Sequence, residues 1–176
     1  MDMLKVLNDE MQLSDTNKKV DFYQRKDLWT ISLPKHEKDY FNQIPNYEDY
    51  LYENSIKNSS FTAFIDNKPI VCFGLVKMFP GTAEAWLIPS LELRSSISFA
   101  LPFHKATKLF FDNAFSLFQL HRIQVTIDVT NEIADKWIRT MEFVEEGTMR
   151  KFGPTQNDYI MFSRVLGDIK NGRNIS

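Results

Sequence analysis

The stretch that leaves the fewest choices of fold is residues 121–149. Ile123, Val125, Ile127 and Val129 alternate with Gln124, Thr126 and Asp128, the period of a strand with one apolar face. Asn131 follows, a residue type whose side-chain oxygen accepts from the open N–H groups of a helix start. Ile133, Ala134, Trp137, Ile138 and Met141 then form the apolar stripe of a short helix, and residues 143–149 read as another strand. A strand, a helix and a strand in such close succession demand an α/β arrangement, with helices laid against a sheet.

Upstream, apolar residues within 3–7 predict a short first strand, Ser14 or Asp15 would cap a helix running through Val20, Phe22 and Tyr23, and Pro34 ends whatever element precedes it. Residues 35–58 place Tyr40, Phe41, Ile44, Tyr47, Tyr50, Leu51 and Ile56 mostly three or four apart, which predicts two short helices broken at Pro45. From residue 60 the period changes. Phe61 to Ile65 and Pro69 to Val76 flank the polar turn Asp66-Asn67-Lys68, the pattern of a hairpin. Pro80-Gly81 marks a further turn, and a third strand over 83–88 stops at Pro89. Pro102 suits a first helical turn, and Phe103, Ala106, Phe110, Ala114 and Leu117 continue a long helix behind it. Residues 159–165 supply the last strand, after a turn at Gly153-Pro154.

With 176 residues, 43% of them hydrophobic, the chain can bury one substantial core, expected over residues 1–166 with a polar tail at 167–176. Its 15 phenylalanines predict an aromatic core, and Phe110, Phe111, Phe115 and Phe118 read as one core face plus an exposed ring or two. A net charge of -2 gives no general attraction for a nucleic-acid backbone. No run approaches the roughly 20 apolar residues that cross a bilayer. The first ten residues carry Asp2, Lys5, Asp9 and Glu10, so no signal-peptide core is read there and a cytoplasmic location is expected. Cys72 has no cysteine partner and sits in an apolar run, as a small buried side chain would. His36, His104 and His121 lack metal-ligand spacing, so no metal is expected.

Residues 121–134, His-Arg-Ile-Gln-Val-Thr-Ile-Asp-Val-Thr-Asn-Glu-Ile-Ala, followed by Met141-Glu142-Phe143-Val144-Glu145-Glu146-Gly147-Thr148-Met149-Arg150, resemble the GNAT acyltransferases. There a strand ends in a V-x-x-x-N turn, a short helix follows, and G-F-x-x-E-G enters the next strand. The order of elements extends the resemblance to residues 60–165. It implies a mixed, mostly antiparallel central sheet flanked by helices, with two strands splayed at a cofactor cleft. It also implies an acyl-CoA such as acetyl-CoA as cofactor. Carried over by position, Trp86, Leu87 and Ile88 would hold the pantetheine arm. Arg94, Ser95, Ser96 and Ser98 would hold the pyrophosphate, and Asn131 would stand at the cofactor-side turn. The chain departs from the family at three places. Arg94-Ser95-Ser96-Ile97 stands where the family has R or Q before G-x-G, and no glycine occurs from 82 to 146. Ile138 takes the place of a proton-donating tyrosine, and Glu142 that of the glycine before Phe143.

Acyl transfer to an amine needs a base to free the nucleophile. Glu84, between two alanines on the predicted third strand and on the same face as Trp86, is the candidate. Its alternative is an ordinary strand-edge carboxylate or the partner of a lysine. Two functions follow. One is an acyl-CoA-dependent N-acyltransferase with a degenerate pyrophosphate loop, acting on a small-molecule or protein amine. The other is a non-catalytic GNAT-like bacteriophage protein of the virion or its assembly, partnered by other virion proteins or by itself, in the host cytoplasm or the virion.

Overall fold

A computed structural model of the chain describes residues 1–11, 17–95 and 97–167, without the side chains of residues 36, 39, 94, 95, 97 and 98. The predicted caps Ser14 and Asp15 and the tail from 168 onward lie outside the described residues. Seven strands form one sheet in the order β1-β2-β3-β4-β5-β7-β6. These are β1 (Lys18–Phe22), β2 (Phe61–Ile65), β3 (Lys68–Phe79), β4 (Thr82–Pro89), β5 (Arg122–Asp128), β6 (Val144–Met149) and β7 (Tyr159–Val165). The pairs β1–β2, β2–β3, β5–β7 and β6–β7 are antiparallel, and β4–β5 is parallel. The helices are α1 (Met3–Glu10), α2 (Arg25–Thr30), α3 (Lys35–Phe41), α4 (Tyr47–Asn54), α5 (Ile97–Leu117) and α6 (Glu132–Thr140). The chain divides into two compact units, Met1–Val76 with Trp86–Asn113, and Lys77–Ala85 with Ala114–Ser176.

The first unit is built on phenylalanine. Phe61 stacks on Phe22 at 5.6 Å and meets Phe110 edge-on at 5.8 Å, while Phe73 meets Phe103 and Phe110 edge-on at 5.3 and 5.9 Å. Beside it a second cluster gathers Tyr23, Ile31, Leu33, Leu51, Cys72, Val76, Trp86 and Ile88. Gly74 is required where β3 passes Ser60, because a Cβ there would stand 2.1 Å from the serine hydroxyl.

Two expectations fail at the N-terminus. Residues 3–7 are helical, not extended: Asp2 caps the helix by accepting from the Lys5 N–H, and Met3, Leu7 and Met11 bury at four-residue spacing. Residues 18–22 are a strand, not a helix. Val20 and Phe22 pair with Ala63 and Phe61, partners that lie some forty residues downstream and so leave no local trace. Asn8 covers this outer strand by donating to the Val20 carbonyl at 3.1 Å and accepting from its N–H at 2.9 Å. The helix α2 was not foreseen. The Asp27 carboxylate fixes it, accepting from the Gln24 N–H and from Thr62 Oγ1. The pair α3 and α4 matches the two predicted helices, and the hairpin and third strand fall where expected, with β3 longer. Finally, α5 begins at Ile97, so Pro102 lies inside it and not in its first turn.

In the second unit, β5 buries Ile123 and Ile127 of its predicted apolar face, while Val125 is half-buried and Val129, past the end of the strand, is exposed. Asn131 caps α6, accepting from the Ala134 N–H at 3.1 Å. Of the four phenylalanines read together, Phe110, Phe111 and Phe115 on α5 are buried and Phe118, just past its end, is half-buried, so the expected exposed ring is not found.

Candidate functional site

The two parallel strands match only over Thr82↔Arg122, Ala83↔Ile123 and Glu84↔Gln124. The register stops there, although β4 runs on to Pro89 and β5 to Asp128. Glu84 is therefore the last residue of β4 that pairs with β5. Alternation sets Glu84 beside Gln124 and Thr126 on one face of the second unit, and Thr126 Oγ1 donates to Glu84 Oε1 at 3.3 Å. Glu84 is half-buried, and burial raises its carboxyl above the ordinary value while the Thr126 bond opposes that rise.

The same face carries a connected row of polar groups. Arg122 donates from Nε to Gln124 Oε1 at 3.2 Å, and from both Nη atoms to Glu146 at 2.8 and 2.6 Å. Glu146 also accepts from Ser163 Oγ at 2.5 Å. Gln124 Nε2 donates to the Met78 sulfur at 3.1 Å. The Arg122 fork, then Ser163, hold the Glu146 carboxyl down at about 2, and the same pairing raises Arg122. Each member of the row is thus fixed by its neighbours.

Past Glu84, Trp86 and Ile88 are buried in the second cluster of the first unit, and Leu87 is half-buried. Trp86 meets the Tyr23 ring edge-on at 5.2 Å. Neither Trp86 Nε1 nor Tyr23 Oη has a hydrogen-bond partner among the described residues. Arg94 and Ser95 belong to a 3-10 turn, Glu92–Ser95, and Ser98 to the first turn of α5; their side chains, and the whole of Ser96, lie outside what is described. Asn131 spends its side-chain oxygen on the cap of α6. Ile138 is buried, 2% exposed. Glu142 adopts φ 65, the left-handed conformation that glycine takes most readily after a helix, and its carboxylate holds the buried Arg164 at 2.9 Å. The missing glycine is therefore accommodated by a strained glutamate with an ionic partner.

Sequence reasoning found Glu84 but missed Thr126 and the Arg122, Glu146 and Ser163 row. Alternation alone could have placed Thr126 on the polar face of β5; that this face meets Glu84 depends on a parallel pairing with no local signal. Cys72 is buried with its sulfur 3.6 Å from Thr62 Oγ1, and its thiol is pushed up to about 12 chiefly by that burial, so it is no nucleophile. Among the described residues no group of three His, Cys, Asp or Glu could hold a metal ion, and no helix is long and apolar enough to cross a membrane.

A mostly antiparallel sheet flanked by helices, whose two parallel neighbours lose register after three residue pairs, is the GNAT fold. Solved structures share it. An acetyltransferase of the GNAT family from Bacillus anthracis is 15% identical, with a TM-score of 0.60 over 85% of this chain and 95% of that one. A chimera of the Vibrio cholerae spermidine N-acetyltransferase is 19% identical, with a TM-score of 0.63 over 89% and 99%. The ribosomal-protein-S5-alanine acetyltransferase from Vibrio fischeri is 18% identical, with a TM-score of 0.58 over 86% and 94%. No protein-family model and no curated protein matches the sequence.

Proposed function

We propose that the protein transfers an acyl group from acyl-CoA to an amine, with Glu84 as general base. The observation that carries this reading is the half-buried Glu84 carboxyl at the last residue of β4 paired with β5, with a strand beyond it that the β5 register does not reach. Main-chain groups of Trp86, Leu87 and Ile88 suit an extended amide-bearing arm in the way a neighbouring strand would. The 21-residue helix α5 starts at Ile97, and its first N–H groups favour an anion. With no glycine from 82 to 146, close phosphate contact falls to Arg94, Ser95, Ser96 and Ser98. The residues present therefore fit acyl-CoA at the strand and offer a remodelled phosphate end.

When bound, acyl-CoA supplies an activated thioester carbonyl. Glu84 takes the proton of the incoming ammonium, directly or through water, and the neutral amine is then the nucleophile. Because burial lifts the Glu84 carboxyl, it is a stronger base once ionised than an exposed glutamate. Thr126 occupies Oε1, which leaves Oε2 to receive the proton. Ile138 has no proton to give, so at its place on α6 nothing protonates a leaving group. Two of the solved neighbours are named for amine acceptors, spermidine and the alanine of a ribosomal protein, which supports an amine as the acceptor class.

The test is to titrate acetyl-CoA while following the melting temperature. Ligand that binds only the folded state adds about 2.7 kcal/mol at a hundredfold excess over Kd. Glu84→Gln is expected to keep that binding and lose turnover by roughly 10²–10⁴-fold. No thermal shift at millimolar acetyl-CoA would remove this reading and leave the non-catalytic assembly protein as the one to pursue.

A further inference from the structure

We infer that Thr126 is the positioning residue of Glu84, holding one carboxylate oxygen so that the other meets the amine proton in a fixed direction. The inference rests on the acyl-transfer reading and names a second residue for it. Gln124 stands directly across from Glu84, and on geometry alone it should be the donor. Its amide is turned elsewhere: the oxygen accepts from Arg122 and the nitrogen donates to Met78, with no hydrogen bond to Glu84 among the described residues. Arg122 is in turn committed to Glu146, and Glu146 also to Ser163. The row is closed on itself. Thr126, the next residue of that face and one step past the paired segment, is the group that reaches Glu84, at 3.3 Å.

Threonine suits the task because its branched Cβ restricts χ1, so its hydroxyl points one way without help from other side chains. Removing the hydroxyl frees the Glu84 rotamer, and a misplacement of about 1 Å at a reacting group costs roughly 10²-fold in rate. Threonine also stabilises the ionised carboxylate by donating to it. The charged and titratable groups on the surrounding elements have their own partners. Arg122 on β5 and Glu146 on β6 bind each other, Arg164 on β7 binds Glu142, Asp128 at the end of β5 holds Thr130 and Asn157, and His121 Nε2 stands 3.5 Å from Thr82 Oγ1. Lys77 on β3 is exposed.

The experiment compares wild type, Thr126→Val, which keeps the shape and loses the hydroxyl, and Thr126→Ser, which keeps the hydroxyl, each checked for unchanged melting. Two quantities are read. In ligand-free protein with 13C-labelled glutamate, the Glu84 carboxyl should titrate higher in Thr126→Val and return in Thr126→Ser. In turnover with acetyl-CoA and an amine, Thr126→Val should lower kcat about 10–100-fold with KM for acetyl-CoA unchanged. Thr126→Ser should restore most of it. An unmoved Glu84 titration overturns the inference, and so does a Thr126→Val enzyme with full kcat or a Thr126→Ser enzyme as slow as Thr126→Val. If wild type turns over and only Glu84→Gln is impaired, the acyl-transfer reading stands and the role of Thr126 falls. If wild type neither binds nor consumes acetyl-CoA, both fall together, whatever the titration shows.

Discussion

In the first compact unit Phe22, Phe61, Phe73, Phe103 and Phe110 meet ring to ring, whereas in the second the strands are crossed by charged pairs, Arg122 with Glu146 and Arg164 with Glu142. Among the described residues the first unit buries Tyr23 Oη and Trp86 Nε1 without hydrogen-bond partners, while on the polar face of the second Thr126 bonds Glu84, and Arg122, Glu146 and Ser163 bond one another. Buried ring area stabilises without regard to pH and tolerates an orphan donor or two. Paired charges contribute less but fix side chains in direction. Glu84, the one carboxyl given a catalytic role, belongs to the unit in which directions are fixed.

The largest expected effect tests the aromatic half of that contrast. Phe110 is 1% exposed and touches Phe61, Phe73 and Phe111, so Phe110→Ala should cost about 3–5 kcal/mol in denaturant unfolding. The deficit should be the same at pH 7 and pH 4. A smaller effect, and one that depends on pH, is expected at Glu146→Gln. Glu146 is partly exposed, so the loss at neutral pH should be about 1 kcal/mol or less. Its carboxyl lies below the ordinary 4.5, at about 2, so the ionised form is the one the fold favours. That contribution is complete above 4.5 and is lost as the pH falls towards 2. Wild type and Glu146→Gln should therefore converge on acidification, and a gap that stays constant would mean that Arg122 does not act on Glu146 through charge.

The same contrast explains what could be read from the sequence. The second unit was legible because most of its signals are local: the β5 sequence alternates apolar and polar residues, Asn131 caps α6 from within three residues, and β6 pairs with β7, the next strand along the chain. In the first unit, β1 takes its strand character from Ala63 and Phe61, and α2 is held by Thr62 through Asp27, so the causes lie far from the segments they shape. Residues 3–7 show the converse, where a helix cap at Asp2 and a four-residue spacing were present and were outweighed by a short apolar run. Of the candidate site, Glu84 was legible as a carboxylate isolated among alanines on a strand. Its partner Thr126 required the parallel register of β4 and β5, which neither strand encodes by itself.

The smallest expected effect, and the one that most sharpens the comparison, is Tyr23→Phe. Tyr23 is 3% exposed, and burial first, then Cys72, Asp27, Glu48 and Tyr47, push its phenol far above the ordinary range, so the hydroxyl stays neutral at every accessible pH. The Tyr23 hydroxyl has no hydrogen-bond partner among the described residues, and a buried O–H left unpaired costs stability that its removal returns. The ring contacts with Trp86 and Tyr52 do not need the hydroxyl. Tyr23→Phe should therefore leave unfolding free energy unchanged or raise it by about 1 kcal/mol. Thr62→Val provides the contrast within the same unit, because it takes a hydrogen bond from the buried Asp27 carboxylate and should cost about 1–3 kcal/mol. If Tyr23→Phe costs as much as Thr62→Val, the Tyr23 hydroxyl is bonded in solution, and the first unit is held by its polar groups as closely as the second.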